Sequence, residues 1–149
     1  MRAISLWNPW AMLIALGAKC IETRHWPTDY RGPLAIHAAQ RWTRAEREQA
    51  YRFGILYPHL APQLDKLNWV SPNTKGNSYF GAMLCIVRLT DCISTEQAVA
   101  AGIMAQERDF GNFAPGRFAW KVELVESLLD NPIPAVGRQG FWNWERPAV

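Results

Sequence analysis

The chain has 149 residues, enough for one domain that buries roughly two-thirds of its unfolded surface. Hydrophobic residues make up 49% and the net charge is +3, which excludes a disordered or fibrous chain and is compatible with a polyanion partner. No apolar run reaches the ~18 residues of a membrane span, and three cysteines without CxxC spacing form neither a disulfide framework nor a zinc site, so a cytoplasmic protein with no membrane and no signal peptide is expected.

In chain order, residues 4–7 read as an opening strand. Asn8 then suits a helix cap and Pro9 the first helical position, with Trp7 and Met12 spaced for a hydrophobic staple. Gly17 stops that helix after Leu16. Residues 19–26 and 32–38 read as strands, and Pro33 marks a strand start or an edge. A capping box at Thr43 and Glu46 opens a helix over 43–53, which Gly54 ends.

Residues 55–80 carry no clear period, and 71–78 have the chemistry of a mobile loop. The apolar run 81–92 is the strongest strand signal. Ser94 and Gln97 cap a helix over 94–106, and residues 117–128 alternate as a strand. Residues 133–144 give a short strand, a Gly-rich turn and aromatics, with Phe141 and Trp142 placed to plug one end of the fold. Strands not separated by regular crossover helices argue against a doubly wound sheet. The expected fold is α+β, a small and mostly antiparallel β-barrel of five or six strands with three peripheral helices, in a single domain over 1–149.

The segment GAKCIETRHW, 17–26, concentrates two cations, an anion, an imidazole and an indole. Lys19 is a compact cation for a phosphate oxygen, or a nucleophile if desolvated, although a lysine at a strand start is ordinarily solvated. Glu22 and Arg24 lie two apart on a strand and share a face, as a plain ion pair or as a recognition pair in which Arg24 presents its fork to phosphate. Strict alternation turns Lys19 away from them, so a common cleft requires Lys19 in the turn before the strand, or a bulge. Trp26 shares the face of Glu22 and Arg24 and is the first stacking candidate, with Trp10 next; indoles on strands otherwise fill cores. Arg117 follows Gly116 at a strand start and is the best second phosphate contact. His25 reads as structural, and no third ligand stands at a metal spacing, so neither metal nor cofactor is expected. No P-loop, G-x-G-x-x-G or G-x-S-x-G occurs.

The pattern G-x-K-x-x-E-x-R, met by Gly17, Lys19, Glu22 and Arg24, resembles the signature of the ASCH domain family, a branch of the PUA-like barrels. The flanks PWA, YRG and IHA and the late GRFAWKVEL and GRQGFW resemble the family as well. The resemblance implies a barrel with a cleft where the motif residues meet, and it adds His37 of IHA to that cleft. It also implies a link to RNA: some members are reported as ribonucleases, and one branch is an amidohydrolase acting on acylated cytidine with the motif Lys as nucleophile. That branch has Thr three residues after the Lys, where this chain has Glu22. The primary expectation is a module that holds RNA or a modified nucleotide on Lys19, Glu22, Arg24, Trp10, Trp26, His37 and Arg117. The alternatives are a metal-independent ribonuclease with Lys19, His37 or Tyr30 in acid–base roles, or an amidohydrolase using Lys19, with Glu22 as proton acceptor. A protein partner is a third reading.

Overall fold

Five segments of β-branched and apolar residues build the sheet: β1 (Arg2–Leu6), β2 (Ile21–Arg24), β3 (Gly32–Ala38), β4 (Ala82–Ser94) and β5 (Phe118–Ser127). Two short strands, β6 (Ile133–Pro134) and β7 (Trp142–Asn143), complete it. In the computed structural model, which describes residues 1–69 and 76–148, the order is β2-β5-β4-β3-β1-β7, with β6 beside β4. The sheet curls into half a barrel, and among the described residues five α-helices stand around it, the expected α+β architecture. No described helix is long and apolar enough to cross a membrane.

Several details differ from expectation. The strands number seven among the described residues, because 133–144 contributes two strands of two residues each. β1 and β3 are parallel, so the chain between them crosses over through α1 (Trp10–Ala15) and β2. β3 lies between β4 and β1, so Pro33 marks a strand start and not an edge. Residues Leu34 to Ala38 are all buried, because both faces of this strand are covered.

α1 begins one residue later than its sequence suggests. The Asn8–Pro9 peptide is cis, and Asn8 still caps from outside. Its Oδ1 accepts from the Met12 N–H at 3.1 Å, and its Nδ2 donates to the Tyr79 carbonyl at 2.9 Å. Gly17 ends the segment at φ 74°, a left-handed conformation that side chains disfavour. α2 (Arg44–Leu56) opens with the expected capping box, in which Glu46 accepts from the Thr43 backbone at 3.2 Å and from its hydroxyl at 2.6 Å. Gly54 does not end it: the helix runs on, and a Cβ at Gly54 would stand 3.4 Å from Ala61 of α3 (Ala61–Asp65). The glycine serves close helix packing there. The expected helix over 94–106 is two, α4 (Thr95–Ala101) and α5 (Ala105–Phe110), divided at Gly102 with φ 92°.

The unassigned stretch 55–80 has a structural task. Short 3-10 turns flank α3, and Leu60, Leu64 and Leu67 are buried against Met12, Leu13, Phe53 and Phe110 in a second core beside the sheet. Positions 71–75 of the expected loop lie outside the described residues. The expected aromatic plug divides: Phe141 packs on the main core with Trp26 and Trp120, while Trp142 packs in a separate cluster with Trp144.

Asn8 ties the start of α1 to Tyr79, which packs against both cores, through two hydrogen bonds of a fully buried side chain. Asn8→Ala leaves a buried N–H and a half-buried carbonyl without this partner, and is expected to lower unfolding stability by about 1–3 kcal/mol in chemical denaturation.

Candidate functional site

β2 is an edge strand, so the backbone groups on its outer side have no neighbouring strand. Side chains satisfy all four outward groups of Ile21 and Thr23. The Ile21 N–H donates to Glu107 Oε2 at 3.2 Å, and Lys19 Nζ donates to the Ile21 carbonyl. The Thr23 N–H donates to Glu22 Oε1 at 3.1 Å, and Arg117 Nη2 donates to the Thr23 carbonyl at 3.1 Å. Glu107, on α5, also accepts from the Cys20 N–H, and its neighbour Gln106 donates to the Ala18 carbonyl at 2.9 Å. Burial pushes the Glu107 carboxyl upward, and the Cys20 N–H, the Lys19 charge and the Ile21 N–H offset this only in part. α5 and the turn after it thus clamp the outer edge of the motif strand.

Lys19 lies in the turn before β2, as a shared cleft requires. Its side chain is 0% exposed, and its Nζ stands 3.5 Å from Glu22 Oε1. Glu22 Oε2 lies 3.9 Å from Arg24 Nη1, so one carboxylate is shared by two cations and the trio carries net positive charge. Glu22 and Arg24 line an open cleft of about 1350 Å³; Lys19 does not reach its surface. The motif residues therefore gather at one place, with the lysine behind the acid.

Trp10, Trp26, His37 and Arg117 also line the cleft. Trp26 is committed on several sides, edge-on to Trp120 at 4.7 Å and to Phe141 at 5.2 Å, with the Arg24 guanidinium 5.8 Å from its ring centre. Trp10 packs edge-on to Phe53 at 6.4 Å. Arg117 spends two donors on the Thr23 and Asn112 carbonyls, which fixes its guanidinium at the rim. Arg138, in the loop after β6, adds a third cleft arginine against the carboxylates of Glu22 and Asp109.

A family model for the ASCH domain matches residues 4–128, from β1 to the end of β5. This chain belongs to the ASCH domain family. Two crystal structures of ASCH from Zymomonas mobilis, one a serine-to-alanine mutant, are similar to it at 16% identity, each covering 97% of this chain and 87% of the other, with TM-scores of 0.48 and 0.47. No curated protein sequence matches it.

In this ASCH domain His37 sits on the cleft floor with both ring nitrogens engaged. Nδ1 faces the Ser5 hydroxyl at 3.0 Å and Nε2 faces the Ala135 carbonyl at 2.8 Å. It is placed to hold the 135–140 loop, which is a structural task, and burial lowers its pKa against the opposing pull of the Ala135 carbonyl. The loop comes so close that a Cβ on Gly137 would stand 2.5 Å from both the His37 ring and Ser5 Oγ. Sequence reasoning placed His37 in the cleft but missed its partners Ser5 and Gly137, and it missed the Glu107 clamp. Ser5 and Gly137 carry no local pattern, and Glu107 lies 86 residues from the strand it caps.

Two outcomes follow from the floor. The folded state favours neutral His37, so its contribution to stability is complete above about pH 6.5 and is lost as the pH falls below that value. Thermal melts from pH 7.5 to 5 should show that decline, and His37→Gln should flatten it. Gly137→Ala forces Ser5, His37 or the loop to move, and should cost about 1–3 kcal/mol in denaturant unfolding.

Proposed function

We propose that this ASCH domain binds RNA, holding a nucleotide in the cleft with phosphate on Arg24 and Arg117. The observation that carries this reading is the state of Arg24. Its side chain is 23% exposed inside an aromatic-lined cleft; among the described residues its one carboxylate partner is 3.9 Å away, and its buried Nε has no hydrogen-bond partner. A guanidinium with unmet donors is suited to a phosphate, which can accept two parallel hydrogen bonds. The link of ASCH domains to RNA supports the same reading.

Lys19 acts one step back. By standing closer to Glu22 than Arg24 does, it takes up the carboxylate and leaves Arg24 under-neutralised. Removing Lys19 hands Glu22 to Arg24 and weakens anion binding without removing a ligand contact. The enzymatic alternatives place Lys19 Nζ on the substrate, which would require it to leave the Ile21 carbonyl and pass Glu22 to reach the cleft. Binding without turnover accounts better for a lysine so held.

Titration of a single-stranded RNA oligonucleotide against salt tests this. Arg24→Ala should weaken binding at least about tenfold and reduce the log–log salt slope by about 0.7, the loss of one phosphate contact to a single strand. Lys19→Met should weaken it by a smaller factor. If Arg24→Ala and Arg117→Ala together leave the affinity unchanged, the reading is wrong. Incubation of labelled RNA with EDTA present, and of free acylated cytidine, should yield no products; turnover that Lys19→Ala abolishes would replace binding with catalysis.

A further inference from the structure

Trp7 stands in the turn between β1 and α1, where a staple to Met12 is expected from the sequence. Met12 is instead buried in the second core, while Trp7 remains 48% exposed and lines the cleft. Large aromatics are costly to leave in water, and this one is not simply loose. The Arg41 guanidinium lies 4.0 Å from its ring centre. Arg41 is itself held, with Nε donating to Glu46 Oε1 at 2.7 Å. Glu46 is buried and is anchored by the capping box of α2. Among the described residues, Arg41 is the one charged or aromatic group that stacks on Trp7. The indole therefore has a held cation over its ring and is one of the residues that line the cleft.

We infer that Trp7, backed by Arg41, is a second base-stacking platform, so that the cleft takes a single-stranded RNA segment of two or more nucleotides and not a lone nucleotide. This rests on the proposed RNA-binding reading and extends it. Three observations converge. The cleft, at about 1350 Å³, exceeds the roughly 300–1,000 Å³ of pockets that enclose one small molecule. Trp7 follows β1 and Arg24 ends β2, and β5, β4 and β3 separate those strands along the curled sheet, so the two residues belong to different walls. Trp26, beside Arg24, is already packed against Trp120 and Phe141, whereas Trp7 presents more open ring surface. Stacking on an indole tolerates any base, and the attraction of Arg41 to the ring holds the indole in place.

The test is a length series of RNA oligonucleotides, from a mononucleotide to a hexamer, bound to wild type, Trp7→Ala, Trp7→Phe and Arg24→Ala, with circular dichroism as the check on folding. Wild-type affinity should rise between the mononucleotide and the longer chains. Trp7→Ala should remove at least about a fivefold part of the hexamer affinity, one stacked base, while leaving the mononucleotide affinity unchanged. Trp7→Phe should restore most of the loss, and Arg24→Ala should weaken every length. If Trp7→Ala leaves hexamer binding intact, or weakens all lengths equally, the second platform is refuted while RNA binding stands. If wild type binds no RNA of any length, both readings fail.

Discussion

An edge strand must satisfy its outward backbone groups without a neighbour, and this constraint shapes the whole site. A bare N–H or C=O in a partly dry environment costs about as much as a lost hydrogen bond, and an open edge invites pairing with another chain. β2 meets the requirement with charged side chains: Glu107 and Glu22 accept from its N–H groups, and Lys19 and Arg117 donate to its carbonyls. Residues that look like a ligand-binding signature are thus first of all the edge of the sheet. In the proposed RNA-binding reading, Arg117 is held in place by the Thr23 carbonyl before any ligand arrives.

Charge is distributed unevenly by this arrangement. Lys19 is dry and lies behind Glu22, so its attraction to the carboxylate is screened little by water. Arg24 shares the same carboxylate from the cleft side at a longer distance. The result is a site in which Arg24 and Glu22 face the cleft and Lys19 stands behind the shared carboxylate. The opposite part of the cleft is built differently. There the His37 ring and the hydroxyl of Ser5 form a neutral floor, and a glycine lets the 135–140 loop lie directly upon it. That loop comes from beyond the span matched by the ASCH family model, although its residues line the same cleft.

Much of the fold was legible in local pattern. The capping boxes at Thr43–Glu46 and Ser94–Gln97, the apolar run of β4 and the alternation of β5 each express a short-range requirement, and each is met within a few residues. The errors fell where a glycine has two physical uses. Gly54 reads as a helix stop but serves helix contact with Ala61, and Gly102 divides a helix that reads as continuous. The stretch 55–80 escaped assignment because its buried leucines are spread over short turns and one helix of five residues, too brief to show a period.

By itself the sequence determined the family, the α+β sheet with its helices, and the clustering of Lys19, Glu22 and Arg24 near one another, because those features depend on neighbours in the chain. Only the tertiary structure decided what each of them faces. That Lys19 is internal, that Glu107 caps a strand from 86 residues away, that His37 is spent on Ser5 and Ala135, and that Trp7 opens to the cleft all depend on contacts between distant segments. Residue spacing specifies which side of a strand a side chain leaves from, but burial and partner are set by whatever the rest of the chain packs against that side.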